Sequence, residues 1–221
     1  MKILITGTAR GIGKRVAERF LDAGHEVYGL DIAPASIEHE RYKHYLCDIA
    51  EKDSLPELDD VEIIFHNAGS QDSGDDIRNN LVGTINVNEK YGWLPSVKSI
   101  LFNASASSLS GSEFAEYCAS KAGIVGYMKN TAIRLASRQI PVNAISLGGV
   151  LTESNSAVID DEKCWQEIMN VTPMKKWMTT DEVADWVMFL TLTNRSMSGE
   201  NILIDNGEYH LNQHFVWPKL L

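Results

Sequence analysis

Seven short apolar runs, separated by turns and helical patterns, constrain the fold of this chain more than any other feature. They are KILIT (Lys2–Thr6), EVYGLD (Glu26–Asp31), HYLCDI (His44–Ile49), VEIIFHNAG (Val61–Gly69), SILFNAS (Ser99–Ser105), PVNAIS (Pro141–Ser146) and NILIDNG (Asn201–Gly207). Each is strand-length and bounded by turn-forming residues. Between them lie amphipathic segments such as GKRVAERFLDAG (Gly13–Gly24), which stops at a glycine. Another is DEVADWVMFLTL (Asp181–Leu192), with Thr179 or Thr180 placed to cap its start. Strands that alternate with helices run parallel, and right-handed crossovers cover both faces of their sheet. The expected fold class is therefore α/β, a single doubly wound domain over residues 1–221. It should hold a seven-stranded parallel sheet and a C-terminal tail from about residue 208. No repeat, linker or low-complexity stretch interrupts it.

Composition narrows the partners. The chain has 221 residues, 44% of them hydrophobic, enough for one compact core. Its formal net charge of −10 argues against nucleic acid or an anionic membrane, both of which reward basic surfaces. Cys47, Cys118 and Cys164 are too scattered for a disulfide framework or a zinc cluster, and the six histidines show no ligand spacing, so no metal is expected. The apolar run at the N-terminus is shorter than that of a signal peptide. No run approaches the roughly 18 apolar residues that span a bilayer. A reducing, cytoplasmic setting fits.

The segment TGTARGIG (Thr6–Gly13) joins the first run to the first helix and carries Gly7, Gly11 and Gly13. Glycines here allow a tight turn and let a diphosphate approach a helix N-terminus, where N–H groups and the helix dipole favour anions. A glycine triplet alone also suits an ordinary strand-to-helix turn; its position before an amphipathic helix favours the dinucleotide reading, with Arg10 and Ile12 in the same loop. Asp31 ends the second run, where a carboxylate can accept both hydroxyls of an adenosine ribose and repel a 2′-phosphate. A loop or capping aspartate is the plainer alternative. Arg10 pulls towards NADP, but Ile32 rather than an arginine follows Asp31. NAD is expected over NADP. Asp48 is placed to meet the adenine amino group, with Ile49 beside the ring.

FAEYCASKAG (Phe114–Gly123) sets Tyr117 and Lys121 four residues apart, hence on one helix face. A phenol titrates near pH 10, and a neighbouring ammonium favours its phenolate. The pair reads either as a proton-transfer device or as a half-exposed surface pair.

Taken in order, TGTARGIG, HNAG, NASAS and YCASK resemble the short-chain dehydrogenase/reductase family over essentially the whole chain. The C-terminal half, with PVNAISLGGVLTES, TPMKKWMTTDEVADWVMFL and SGENILIDNG, resembles its bacterial oxoacyl-carrier-protein reductase branch. The resemblance implies reversible hydride transfer between a nicotinamide and a carbonyl or alcohol. It makes Tyr117 the general acid/base, and Lys121 its pKa-lowering neighbour and ligand of the nicotinamide ribose. Asn80 becomes the link from that lysine to a proton-relay water. Asn67, Ala68 and Gly69 would pack beside the cofactor, and Val150 and Thr152 against the carboxamide. It also implies a homodimer or homotetramer, for which the stripe Ile124, Tyr127, Met128, Ala132 and Leu135 offers a contact face.

Four departures qualify the resemblance. In Asn103-Ala104-Ser105-Ala106-Ser107 the usual serine position holds alanine, leaving Ser105 as first candidate and Ser107 as second. Only ten residues separate Gly69 from Asn80, which predicts a much shortened helix there. Leu147 replaces the usual proline, and the family's terminal Asp-Gly-Gly reads Asp205-Asn206-Gly207. The tail, with Tyr209, Phe215 and Trp217, is read either as a cover over the site or a neighbouring subunit, or as an ordinary packed terminus. The alternative function is a catalytically weak dinucleotide sensor or scaffold, supported by the displaced serine. For an acidic carrier-protein substrate, a basic patch around Lys175, Lys176 or Arg195 would be needed.

Overall fold

The computed structural model describes residues 1–112, 114–209 and 211; Phe215 and Trp217 lie outside them. Seven strands form one parallel sheet in the order β3-β2-β1-β4-β5-β6-β7. They are β1 (Lys2–Thr6), β2 (Glu26–Asp31), β3 (Tyr42–Leu46), β4 (Ile63–His66), β5 (Ser99–Asn103), β6 (Val142–Leu147) and β7 (Asn201–Ile204). The main helices are α1 (Gly11–Asp22), α2 (Gly83–Tyr91), α4 (Ala115–Leu135), α6 (Glu162–Val171) and α7 (Thr180–Met188), with short α3 (Ser107–Ser110) and α5 (Ser156–Ile159). This is the expected doubly wound sheet, with its strand order reversing between β1 and β4.

The period-2 alternation of strand side chains sorts the core into two layers. Leu4, Ile64, Ile100, Phe102, Val142 and Ala144 face α2 and α4. Their neighbours Ile3, Ile5, Ile63, Phe65, Leu101 and Ile145 face α1 and α7. Strands buried on both faces read as continuous apolar runs, which is why β1, β4 and β5 were legible in the sequence.

The β3 bounds and the helix before β5 differ from the sequence expectation, and the structure chooses between the two caps offered for α7. β3 starts two residues early, because Tyr42 pairs in register with Val27. It ends before Asp48, whose carboxylate accepts from the Ala50 N–H at 2.9 Å and turns the chain away. Thr179, not Thr180, caps α7, in a reciprocal capping box with Glu182. The helix before β5 is not much shortened: a π-helical segment (Ile77–Val82) leads straight into α2, and the shortening falls on the turn ahead of it.

The α4 stripe also needs correction as a subunit interface. Ile124, Met128, Ala132 and Leu135 are 2%, 0%, 7% and 1% exposed and belong to this subunit's own core. Tyr127 donates to Glu89 at 2.6 Å and accepts from Asn88 at 3.1 Å within the same chain. A 21-residue helix buries such a stripe against the sheet and α2 together, so its length does not require a second copy.

Candidate active site

The carboxyl ends of β1 and β4 diverge at the point where the strand order reverses, opening a crevice of the kind that receives ligands in such sheets. Thr6 and Asn67 line its floor. The Thr6 hydroxyl accepts from the Asn67 and Ala68 N–H groups, both at 2.9 Å. The Asn67 amide donates to the Thr6 and Gly7 carbonyls and accepts from Asn103 at 3.0 Å. Asn67 therefore ties β1, β4 and β5 together and has its side chain fully engaged.

The glycine loop fits a diphosphate. Gly7 and Gly11 sit at φ of +75° and +57°, in the left-handed region where a Cβ is strained. Gly13 is required for another reason: a Cβ there would stand 1.9 Å from the Gly7 carbonyl oxygen. The α1 N-terminus has no side-chain cap from Arg10 and no acidic residue in its first turn, so its orphan N–H groups are left for an anion. Asp31 accepts from the Ala9 N–H at 2.8 Å and the Ala33 N–H at 2.9 Å. It thus braces the loop, as the plainer alternative held. A carboxylate has about four acceptor positions, which leaves room for a ribose diol as well. Arg10, next to Ala9 in the chain, is exposed.

Asp48 and Ile49 are differently placed. Asp48 accepts from Arg78 at 3.0 Å, and Arg78 also pairs with Glu51 at 2.5 Å. Ile49 is buried against Gly83, where it forms wall rather than open surface.

Ser105, Ser107, Tyr117, Lys121, Val150 and Thr152 meet on a cavity of about 520 Å³, lined also by Ile12 and Asn103 among others, while Asn80, Ala68 and Gly69 lie outside its lining. Tyr117 and Lys121 lie in the first two turns of α4, with the Lys121 Nζ 5.6 Å from the centre of the Tyr117 ring. Lys121 is 4% exposed and donates to the Asn103 carbonyl at 3.1 Å. Burial pushes its pKa down to about 8, against the opposing pull of Asp76. Asn80, fully buried, donates to the Ser70 carbonyl at 2.9 Å and the Ser120 hydroxyl at 3.0 Å. It accepts from the Ser70 N–H at 2.7 Å. Ser120 in turn donates to the Tyr117 carbonyl at 2.7 Å. A Cβ on Gly69 would come within 2.9 Å of the Asn80 Oδ1 and 3.4 Å of the Lys121 Nζ, so the bare glycine admits both groups to the strand end.

Both candidate serines reach the cavity. Ser105 and Ser107 are buried, with their hydroxyls 2.9 Å apart, and the Ser107 N–H also points at the Ser105 Oγ at 3.2 Å. The β5–β6 ladder continues through the N–H groups of Ala104 and Ala106. Ser105 and Ser107 line the cavity together with Ala104 and Ala106. Tyr209 closes another part of the wall, its hydroxyl donating to the Leu109 carbonyl at 3.0 Å.

Sequence reasoning missed Asp76, Arg78 and Ser120. Asp76 lies in the polar run SQDSGDD, which reads as a solvated loop and gives no signal that one of its carboxylates is buried.

A family model described as "Enoyl-(Acyl carrier protein) reductase" matches residues 77–209, and one described as "NAD dependent epimerase/dehydratase family" matches residues 3–116. The chain belongs to the short-chain dehydrogenase/reductase family. It is a nicotinamide-dependent oxidoreductase acting between carbonyl and alcohol. The 3-oxoacyl-[acyl-carrier-protein] reductase of Staphylococcus epidermidis is 27% identical over 93% of this chain and 98% of its own length. A short chain dehydrogenase family protein of Francisella tularensis superposes with a TM-score of 0.85 at 26% identity, over 94% of this chain and 98% of its own. ElxO, solved with NADP bound, gives a TM-score of 0.84 at 25% identity over the same shares. Among the described residues no helix is long and apolar enough to cross a membrane, and no group of metal-ligating side chains assembles.

A pH dependence follows from Lys121. Its ammonium is present below pH about 8 and is lost as pH rises through that value. In carbonyl reduction, kcat/KM is expected to fall through this range; a profile flat into strongly alkaline buffer would show that the charge on Lys121 is not needed.

Proposed function

We propose that this oxidoreductase prefers NAD(H) and reduces or forms a small or medium-sized carbonyl, with Tyr117 moving the proton. The observation that carries this reading is the convergence of Tyr117, the buried Lys121 and a serine pair on one cavity wall beside the glycine loop. When bound, the nicotinamide supplies or accepts the hydride. Every other task falls to the chain. Tyr117 gives its phenolic proton to the carbonyl oxygen, or takes it from the alcohol. Ser105, with Ser107 hydrogen-bonded to it, donates to the same oxygen and holds the carbonyl in place. Lys121 keeps a cation beside the phenol and presents N–H groups to the ribose, while Asn80 orders the strand end around it. The intact acid/base pair favours turnover over a dinucleotide sensor.

The cavity supports a polar substrate, since Gln71, Ser110, Ser112 and Asn155 join the catalytic serines on its wall. The three side chains expected to receive an acidic carrier protein are engaged within the chain. Lys175 donates to the Met169 and Asn170 carbonyls, Lys176 pairs with Glu182, and Arg195 donates to the Leu192 and Asn194 carbonyls. An oxoacyl thioester remains the second reading, favoured by the name of the staphylococcal relative. NADH oxidation by the purified protein with ketones, sugars, oxo acids and an oxoacyl thioester separates the two, and no oxidation with any of them would refute the enzymatic role of the pair. With the best substrate, Tyr117→Phe is expected to lower kcat by about 10²–10⁴-fold with NADH affinity nearly unchanged. A loss under about fivefold would remove Tyr117 from the role of general acid.

A homodimer or homotetramer belongs to the same reading, supported by apolar side chains left exposed on the helices, Ile133 at 76% and the Trp186–Phe189 pair at 41% and 47%. Light scattering at micromolar concentration should give a multiple of the 24.6 kDa chain mass, and a monomer would contradict it.

For the cofactor, the Asp31 carboxylate beside a 2′-phosphate is a like-charge contact, and at least about tenfold preference for NADH over NADPH in kcat/KM is expected. Asp31→Ala should erase most of that preference by improving NADPH, along with a general loss from unbracing Ala9. A parent enzyme that already prefers NADPH would assign specificity to Arg10.

A further inference from the structure

The turn between β4 and the helical segment 77–82 closes on one carboxylate. Asp76 Oδ1 accepts from the Ser70 hydroxyl at 2.7 Å, the Ser73 hydroxyl at 2.6 Å and the Ser73 N–H at 3.3 Å; Oδ2 accepts from the Asp72 N–H at 2.8 Å. Asp72 and Gly74 take left-handed φ angles of +56° and +79° to wrap the chain around it. The side chain is 1% exposed. Burial alone would raise its pKa, but the bonds from Ser73, Ser70 and the Asp72 N–H hold it below the usual carboxylate range, so it is ionised at neutral pH. A buried charge on a short turn is costly unless its setting stabilises it, and here the setting leads into the active site.

Ser70 makes the connection. Its hydroxyl donates to Asp76 and accepts from the Asn79 amide at 3.1 Å, while its main-chain N–H and C=O take both ends of the Asn80 amide. Asn80 continues through Ser120 to the Tyr117 carbonyl, and its Oδ1 and the Lys121 Nζ flank Gly69. The groups placed around the Lys121 ammonium are Tyr117 on its own helix, the Asn103 carbonyl from β5, Asn80 from the helical segment and the charge of Asp76 from the turn.

We propose that Asp76 is a positioning residue for the Asn80–Tyr117–Lys121 group: it clamps the short turn so that Ser70 holds Asn80 in place, and it sets a negative charge opposite the Lys121 ammonium. This rests on the catalytic roles given above to those three residues. Two consequences separate the clamp from mere stability. Misplacing Asn80 harms the chemical step more than the binding of dinucleotide. Removing the charge makes the Lys121 ammonium harder to hold, so the ammonium is lost at lower pH.

The test uses the full chain, with kcat and KM measured from neutral to alkaline pH, NADH affinity by fluorescence titration and thermal unfolding in parallel. Asp76→Asn keeps the shape and removes the charge. It is expected to lower kcat by about tenfold or more, since misplacement of a catalytic group by about 1 Å can cost on the order of 10²-fold. NADH affinity should stay near the parent's, and the alkaline fall in kcat should move to lower pH. Ser70→Ala cuts the link but leaves the charge. It should lower kcat while the alkaline fall stays where it is in the parent. Parent-like kcat and pH profile in folded Asp76→Asn overturn the proposal, as does a kcat loss that merely tracks a loss of NADH affinity or of folded protein. Should Asp76→Asn not fold, parent-like kcat in Ser70→Ala overturns it. Tyr117→Phe is the control: if it retains activity the underlying reading fails, and if only Asp76→Asn is silent the clamp alone fails.

Discussion

The two N–H groups received by the Thr6 hydroxyl are the constraint on which the rest of this site depends. Where β1 and β4 part company, the backbone of residues 67 and 68 has no further strand to pair with, and unpaired buried N–H groups are costly. Thr6 takes both of them at 2.9 Å. Asn67 then binds the Thr6 and Gly7 carbonyls, which fixes the start of the glycine loop relative to the sheet. The crevice is thus a place where ladder hydrogen bonding stops and side chains take over. A dinucleotide needs such a break, because only there does the backbone face outward with donors to offer.

The second constraint is a lysine almost without solvent. Taking an ammonium out of water disfavours its charge, and Lys121 is held as a cation near neutrality by a carbonyl, an aromatic ring and the Asp76 carboxylate. The small residues around it serve this purpose. Gly69 leaves space for its Nζ, and a Cβ on Gly123 would meet Leu81 at 2.7 Å, so α4 packs closely on the helical segment that carries Asn80. Close approach of helix to helix brings Asn80, Ser120 and Tyr117 into one hydrogen-bonded line. The bulky alternatives that would normally fill a helix interface would separate them.

Much of this was legible in the sequence because it depends on local chemistry. The seven strands follow from short apolar runs bounded by turn-forming residues, and the glycine loop from positions that must take positive φ or have no room for a Cβ. That Tyr117 and Lys121 share one helix face follows from their spacing, and their role from the family resemblance. The parts that escaped depend on which of several equivalent side chains is turned inward. Asp72, Asp75 and Asp76 look alike in SQDSGDD, yet only Asp76 is enclosed, because the serines and amides of its own turn fold over it. The apolar stripe of α4 likewise names a buried face without naming what buries it, and the neighbour is the chain's own core. The choice between Ser105 and Ser107 is undecidable by counting residues, since the two hydroxyls share one hydrogen bond.

What the sequence by itself determined was the sheet and its parallel sense, the glycine loop, the acidic end of β2 and the resemblance to the family. The sheet and the loop rest on propensity, periodicity and spacing, which act over a few residues, whereas the family rests on the resemblance of four motifs taken in order along the chain. Only the tertiary structure decided that Asp31 also braces the loop, that Lys121 is buried deeply enough to titrate near 8, and that a shortened turn brings Asp76 to bear on Asn80 and Lys121. Those features arise from how the folded backbone turns particular side chains inward, where burial and the surrounding hydrogen bonds, rather than the residue type, set the charge and the position of a side chain.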